Sequence, residues 1–222
     1  MTTEHHLVVP RTARYFTLGD AGPETTDVWI VCHGYGQLAA PFLATFEPIA
    51  APGRLIVAPE GLSRFYVEPP STAANPNRAV GATWMTREDR EHEIGDHVRY
   101  LDTLVDHLRS TLPPSGVRLR ALGFSQGVAT VARWVALGRT RVHELIVWAG
   151  SFPEDVDLVE LREHLGGAPV VFVAGSRDKL ASWAGADKHH ERLVAAGIRS
   201  RLITFDGGHR VDDATLEALA AS

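Results

Sequence analysis

Short, unbroken apolar runs recur along the chain and alternate with segments that have helical periodicity. Parallel strands that are covered on both faces have such runs, because neither face of the strand is exposed to water. The pattern therefore predicts a buried, mostly parallel sheet, preceded by a strand pair within residues 5–19. The predicted strands of the sheet cover residues 28–32, 55–58, 119–124, 145–148, 170–174 and 201–205.

The clearest helical pattern covers residues 86–112, between the second and third of these runs. Thr86 is suited to cap the helix N-terminus, acidic residues crowd the first turn, and Pro113-Pro114 ends the helix. Strands that alternate with helices predict an α/β fold with right-handed crossovers. The apolar stripe of this helix consists of Ile94, Val98, Leu101, Leu104, Val105, Leu108 and Leu112.

The composition is ordinary for a globular chain and excludes several functions. The 222 residues fit one domain, 1–222, which should bury roughly 70–75% of its unfolded surface. A net charge of −5 without clustered Lys and Arg argues against a nucleic-acid partner. No apolar run reaches the ~20 residues of a membrane span, and no signal-peptide pattern begins the sequence. We therefore expect a cytoplasmic protein without a membrane span, and the oligomeric state is left open.

A candidate nucleophile lies between the predicted strand at residues 119–124 and the helical pattern that follows it. The stretch Gly123-Phe124-Ser125-Gln126-Gly127 is a G-x-S-x-G motif. A sharp turn from strand to helix needs small residues on both sides of the serine, and it exposes the serine Oγ above the sheet. The setting of the motif, more than the motif alone, indicates that Ser125 is the nucleophile of a hydrolase.

A serine nucleophile needs a base, and the base needs an acid that orients it. Asp178 follows the predicted strand at 170–174, and His209 follows the last predicted strand. The order Ser, Asp, His is the order of the α/β-hydrolases. Residues that could compete for these roles are Asp187, His189, His190, Asp206, Asp212 and Asp213, and their positions in helical patterns or within one loop make them weaker candidates.

The glycine-rich stretch Gly34-Tyr35-Gly36-Gln37-Leu38-Ala39 also fits a dinucleotide-binding fingerprint. Pro41 is poorly placed for the helix that this fingerprint requires, and no separate substrate domain follows. A serine hydrolase needs two backbone N–H groups directed at the oxyanion. We expect these donors to be the amides of Tyr35 and Gln126, and we expect Cys32 to be a buried strand residue.

The motifs of the chain resemble those of the phospholipase/carboxylesterase group of α/β-hydrolases, which includes the acyl-protein thioesterases. The resemblance is carried by HGYG after the first central strand, APEG after the next, GFSQG, GSRD and GGHR. The stretch from PEGLSRFYVE to GATWMTREDREHEI is similar to a bacterial branch of predicted esterases. Val128 after the elbow, and Gln37 where the thioesterases usually have an acid, argue against transferring a thioesterase preference.

The resemblance implies an α/β-hydrolase fold, with a mostly parallel central sheet, helices on both faces and no large cap domain. It also implies a serine esterase that cleaves small-molecule carboxylic esters of small to medium acyl groups through an acyl-enzyme on Ser125. This chemistry requires no metal or organic cofactor. The alternatives are a thioesterase, lysophospholipase-type or peptidase hydrolase with the same three residues, and a hydrolase-fold binding protein without turnover.

Residues 61–83 fit neither periodicity and are rich in Pro, Asn and Ala. Irregular connections of this length are uncommon in a compact domain unless they are functional or disordered. We expect this segment to form one wall of the acyl pocket, with Trp84, Tyr66 and Phe65 as pocket residues. The alternative is a packed surface loop, with Trp84 buried at the start of the long helix.

Overall fold

The computed structural model describes residues 1–68 and 78–222, and its centre is a seven-stranded sheet. All neighbouring strands of this sheet are parallel except the edge strand β1, which is antiparallel to β3. The strand order is β1-β3-β2-β6-β7-β8-β9, and β4 and β5 form a separate hairpin. The strands are β1 (Tyr15–Leu18), β2 (Asp27–Cys32), β3 (Arg54–Pro59), β4 (Ser63–Tyr66), β5 (Val80–Thr83), β6 (Arg118–Phe124), β7 (Glu144–Trp148), β8 (Val170–Gly175) and β9 (Ser200–Phe205).

Helices cover both faces of the sheet, which explains the unbroken apolar runs. Along β2, Val28 and Ile30 belong to one core cluster, whereas Trp29 and Val31 belong to the other. The first cluster includes side chains from the helices at residues 90–109, 126–137, 158–165 and 183–195. The second includes side chains from the helices at residues 39–44 and 213–220. The helices are α1 (Ala39–Ala44), α2 (Arg90–Arg109), α3 (Gln126–Leu137), α4 (Leu158–Leu165), α5 (Trp183–Ala195) and α6 (Asp213–Ala220).

The predicted mostly parallel sheet with helices on both faces is therefore confirmed. Strands β2 and β6 lie side by side, and their register pairs Cys32 with Gly123. Because both strands run in the same direction, the segments that follow Cys32 and Phe124 leave the sheet at the same edge. None of the helices in the described ranges is long and apolar enough to cross a membrane.

Three local predictions differ from the structure. The N-terminal region contributes the single strand β1 instead of a strand pair, and residues 1–14 have no regular secondary structure. Helix α2 begins at Arg90 instead of directly after Thr86. Thr86 lies in a turn before the helix, and its N–H donates to the carboxylate of Glu93 in the first turn of α2. The two ends of the segment 61–83 pair as the antiparallel hairpin β4–β5, while residues 69–77 lie outside the described part of the chain.

Candidate active site

Ser125 forms the whole turn between β6 and α3. The strand ends at Phe124, the helix begins at Gln126, and Ser125 has φ 54° and ψ −117°. Residues other than glycine rarely adopt a positive φ, and such strain persists only where the surrounding structure enforces it. The Ser125 N–H donates to the carbonyl of Trp148 at 2.9 Å, which fixes the turn to the end of β7. This geometry places the hydroxyl of Ser125 at the carboxyl edge of the sheet.

The elbow needs glycine on its helical side because two backbones meet there. A Cβ atom on Gly127 would overlap the carbonyl oxygen of Cys32, at the end of the neighbouring strand β2. The carbonyl is part of the backbone and cannot rotate away as a flexible side chain would. The first turn of α3 can therefore approach β2 only with glycine at this position.

His209 and Asp178 form a hydrogen-bonded pair at the same edge of the sheet. The Nδ1 atom of His209 lies 2.8 Å from Oδ2 of Asp178, whose side chain is fully buried. Because an ionised carboxylate only accepts hydrogen bonds, Nδ1 carries the proton and Nε2 has a free lone pair. The ring centroids of His209 and Phe124 are 4.9 Å apart, so the imidazole lies beside the residue that precedes Ser125.

Backbone amides keep Asp178 in its charged form. Burial by itself would raise the pKa of Asp178, but hydrogen bonds from Ala181 N–H, from His209 and from Leu180 N–H outweigh it and lower the pKa. The two amides donate to Oδ1 at 2.9 Å and 2.8 Å, which leaves Oδ2 for the imidazole. The carboxylate is thus both ionised and fixed in orientation, as an orienting acid must be.

The competing residues have other partners. Asp206 is exposed and contacts Ser176 Oγ at 3.3 Å and Arg177 Nη2 at 3.2 Å. His190 Nδ1 lies 2.9 Å from Ser200 Oγ, between α5 and β9. Asp212 caps α6 by accepting from the N–H of Thr215. The structure therefore brings together Asp178 and His209, as the sequence order predicts, and uses these other residues elsewhere.

The segment after β2, residues 33–38, passes close to Ser125, and we call it the oxyanion loop. A Cβ atom on Gly34 would lie 3.1 Å from Cβ of Ser125. Within the described ranges, neither the N–H of Tyr35 nor the N–H of Gln126 donates a hydrogen bond. Gln126 is the first residue of α3, where backbone N–H groups have no partner within the helix. Among the described residues, one backbone donor in the oxyanion loop and one in the residue after Ser125 therefore have no acceptor within the protein.

His33 supports the oxyanion loop, and both of its ring nitrogens are engaged in hydrogen bonds with the backbone. Its Nε2 accepts the N–H of Gly61 at 3.0 Å, so the proton is on Nδ1, which donates to the Gly34 carbonyl at 2.8 Å. Burial lowers the pKa of His33, which keeps the ring neutral and preserves this pair of hydrogen bonds.

Trp84 is buried and makes hydrogen bonds both to the oxyanion loop and to Gln126 beside the elbow. Its indole N–H donates to the His33 carbonyl at 2.9 Å, and its backbone N–H donates to Oε1 of Gln126 at 3.2 Å. The residue is only 3% exposed, and its ring lies 5.0 Å from that of His33. These contacts place Trp84 beneath the oxyanion loop and not at an open surface. The position agrees with the alternative in which Trp84 is a packed, buried residue.

The other two predicted pocket residues lie on β4. Phe65 is half-buried, and its ring is 5.1 Å from the ring of Tyr35 in the oxyanion loop. Tyr66 is 58% exposed, and the guanidinium of Arg78 lies over its ring at 4.2 Å. Strand β5 joins the hairpin to the oxyanion loop, because Gly36 N–H donates to the Ala82 carbonyl at 2.9 Å. The hairpin therefore forms one side of the loop that contains Tyr35.

Two supporting side chains were not predicted from the sequence. The carboxamide of Gln126 donates to Thr83 Oγ1 and to the Met85 carbonyl, both at 2.9 Å. Glu60, in the APEG motif, has a fully buried side chain that is paired with Arg14 and Arg64. Burial alone would raise the pKa of Glu60, but these two arginines and the N–H of Ala39 lower it. The position of Glu60 at the end of an apolar run was the available signal, but its partner Arg14 lies 46 residues away in sequence.

Solved structures with this fold include several hydrolases. Esterase PE8 has a TM-score of 0.66 and 21% identity, over 95% of this chain and 97% of that one. Acyl-protein thioesterase 2 of Zea mays has a TM-score of 0.68 and 15% identity, over 95% and 99%. A Bacillus cereus carboxylesterase has a TM-score of 0.66 and 14% identity, over 94% and 92%. At these identities the similarity shows the fold, and it confirms the predicted α/β-hydrolase-like architecture without a large cap.

The sequence itself places the chain in a family. No curated protein matches the chain at a significant level. Residues 32–216 match the serine hydrolase (FSH1) family, and this range includes the oxyanion loop, the elbow and the Asp178–His209 pair. The chain therefore belongs to the serine hydrolase (FSH1) family.

Proposed function

We propose that the protein is a serine esterase that hydrolyses carboxylic esters of small to medium acyl groups, with Ser125 as the nucleophile. The observation that carries this proposal is the hydrogen bond between His209 and a buried, ionised Asp178, beside a strained serine elbow. A serine at a strained turn, whose neighbour Phe124 packs against an oriented imidazole, supports an arrangement for nucleophilic catalysis.

In the first step, Nε2 of His209 accepts the proton of Ser125 Oγ as the oxygen attacks the ester carbonyl. The carbonyl π electrons move to its oxygen, which becomes the oxyanion of a tetrahedral intermediate. The N–H groups of Tyr35 and Gln126 donate to this oxyanion, and Asp178 stabilises the imidazolium. Loss of one such donor typically lowers kcat by about 10²–10³-fold, so a fixed loop is essential to the rate.

In the second step, the imidazolium of His209 protonates the departing alcohol, and the carbon–oxygen bond of the ester breaks. An acyl-enzyme on Ser125 remains. Water then attacks the acyl carbonyl while His209 accepts one of the water protons. The bond between the acyl carbon and Ser125 Oγ breaks as His209 gives that proton to Oγ, and the carboxylic acid leaves. Every proton transfer uses the same imidazole, and no additional acid or base is needed.

The acyl group is proposed to lie along the aromatic pair of Tyr35 and Phe65, with Tyr66 further out on the hairpin. The two rings lie beside the proposed oxyanion donor, because Tyr35 contributes one ring of the pair and also the backbone N–H. Trp84 is a positioning residue in this scheme, since its contacts hold the His33 carbonyl and the Gln126 side chain. A partly exposed aromatic surface without a large cap suits short and medium acyl chains better than long ones.

A matched panel of an ester, a thioester and an amide with the same acyl group tests the proposal. We expect the highest kcat/KM for the ester, and we expect Ser125→Ala to abolish turnover of all three compounds. A thioester preference of more than about tenfold, which is about 1.4 kcal/mol in transition-state free energy, would replace the esterase assignment with a thioesterase assignment. Absence of turnover on the whole panel would support a binding protein with a hydrolase fold.

A further inference from the structure

A second cluster of chemically active side chains lies away from Ser125. It consists of His6 in the N-terminal arm (residues 1–14), Asp89 directly before α2, and His92 in the first turn of α2. Their ligand atoms all lie within 4.8 Å of one another. We propose that His6, Asp89 and His92 form a binding site for a divalent transition-metal ion, with Zn²⁺ as the best match.

The donor atoms suit zinc in type and in spacing. His6 Nε2 and His92 Nδ1 lie 3.2 Å and 2.7 Å from Oδ1 of Asp89. Zinc bonds to imidazole and carboxylate are about 2.0–2.2 Å long, so tetrahedral ligands are separated by roughly 3.4 Å. The two imidazole nitrogens each need to move away from Asp89 Oδ1 by less than about an ångström to match that spacing. Glu4 Oε1 lies 3.2 Å from His6 Nε2, which makes it available as a fourth ligand.

The two imidazole rings must reorient when an ion binds. They are stacked, with centroids 3.9 Å apart and an interplanar angle of 22°. A metal ion lies near the plane of each ring that ligates it, so the rings must turn away from the stacked arrangement. Both side chains are partly exposed, at 42% for His6 and 57% for His92, so each ring borders solvent into which it can turn. The ion would replace the protons that now lie between the imidazoles and Asp89.

The backbone at Asp89 has the strain that is typical of functional positions. Asp89 occupies the N-cap position of α2 with φ 49°, in the left-handed region. An N-cap aspartate normally accepts a hydrogen bond from a backbone N–H in the first turn of its helix, but the Asp89 carboxylate makes no such bond. The carboxylate is instead directed at the two imidazoles. This strain, together with the unused cap, indicates a function for the carboxylate in the cluster.

An ion at this position would link the N-terminal arm to α2. The arm has no regular secondary structure, and its C-terminal end is held where Tyr100 Oη and Glu60 N–H donate to the Arg14 carbonyl. A groove of about 770 Å³ lies between the arm and α2, with His6 and His92 among its lining residues. The metal would therefore fix the free part of the arm along this groove.

Calorimetric titration of the untagged full chain with Zn²⁺ tests the site. We expect one ion per chain, with release of protons from the imidazoles on binding. His92→Ala and Asp89→Asn each remove a ligand or its charge, and each should weaken binding by at least about tenfold. His5→Ala on the arm and His107→Ala on α2 are matched controls that should bind as the wild type does.

Thermal unfolding supplies a second readout that does not depend on catalysis. Zn²⁺ should raise the Tm of the wild type and of both controls, and it should leave the Tm of His92→Ala unchanged. All the substituted side chains are exposed, so the variants should fold normally. The proposal is overturned if the wild type binds no zinc, or if His92→Ala binds it as tightly as the wild type. The latter result would place the ion on the N-terminal residues alone.

Discussion

The elbow and the oxyanion loop follow adjacent parallel strands, yet different interactions hold them in place. Backbone contacts hold the elbow, through the Ser125–Trp148 hydrogen bond and the close approach of Gly127 to Cys32. The oxyanion loop has backbone hydrogen bonds to β5, but side chains also hold it, through His33, Trp84 and the Gln37 carboxamide, which accepts the Gly34 N–H at 2.7 Å. We therefore expect an added Cβ atom to distort the elbow, and the removal of a hydrogen-bonding side chain to distort the oxyanion loop.

The largest effect is expected at the hydroxyl of the elbow. Ser125→Ala removes the proposed nucleophile without disturbing a buried contact, so kcat for ester hydrolysis should fall by about 10⁴–10⁶ while Tm stays close to that of the wild type. Steady-state kinetics and thermal unfolding of the same sample measure both quantities. Retention of a tenth of the wild-type kcat would assign the nucleophile to another residue.

The next effect concerns the backbone of the elbow. Gly127→Ala places a methyl group on the Cys32 carbonyl, so β2 and α3 must separate. Overpacking of this kind typically destabilises a protein by about 1–3 kcal/mol or more, and the displaced serine should also lose most of its activity. Chemical denaturation measures the stability change. Gly22→Ala is the matched control, because its Cβ meets no atom within 4 Å, and it should leave both stability and activity unchanged.

A smaller effect is expected from the side-chain support of the loop. Trp84→Phe keeps an aromatic ring in the core but removes the N–H that holds the His33 carbonyl. The oxyanion donors would shift without being lost, so kcat should fall by roughly tenfold, less than the 10²–10³-fold typical for removal of a donor. KM should change little, because the ground-state ester does not depend on these donors.

The same variant separates support of the loop from the pocket-wall interpretation of Trp84. If Trp84 were a pocket wall, Trp84→Phe would change the ratio of kcat/KM between short and longer acyl esters. We expect this ratio to stay constant, while Phe65→Ala, on the hairpin, should alter it several-fold. A changed ratio in Trp84→Phe with unchanged kcat would contradict the supporting role.

The smallest expected effect is a dependence of stability on pH. Burial, followed by the charge of Arg133, lowers the pKa of His97 in α2 to about 4, and burial lowers the pKa of His33. The unfolded chain therefore binds more protons than the folded chain below the ordinary histidine pKa of about 6.5. Stability should be complete above that pH and should decrease as the pH falls from about 6.5 towards 4.

Two substitutions assign this loss of stability to its sources. His97→Leu should remove the larger part of the decrease in denaturation midpoint between about pH 6.5 and 4. His33→Gln preserves an acceptor for the Gly61 N–H and should remove a smaller part. If both variants keep the full wild-type pH dependence, other groups control acid unfolding.

The elbow and the oxyanion loop also differ in how far the sequence predicts them. The central strands and the elbow were predictable because unbroken apolar runs and a G-x-S-x-G motif are local signals. The hairpin β4–β5 was not predicted, because its two short strands are separated by a long stretch and pair with each other and the oxyanion loop. The contacts of Trp84 with His33 and Gln126 span 51 and 42 residues, and no local pattern reports them.

Boundaries and edges were less predictable than the core. Thr86 has the chemistry of an N-cap, but Glu93 binds it in a turn, and the helix begins at Arg90. The N-terminal region has strand-like composition, but only Tyr15–Leu18 finds a partner, at the free edge of β3. In both places a tertiary contact decides between local structures that the sequence permits equally well.

Covalent labelling tests whether Ser125 is a nucleophile that His209 and Asp178 activate. A fluorophosphonate probe reacts with an activated serine, and peptide mass spectrometry locates the adduct. We expect one adduct per chain, on Ser125, with labelling that is slowed strongly in Asp178→Asn and abolished in Ser125→Ala. An unlabelled wild-type protein, or an adduct on any other residue, would contradict it.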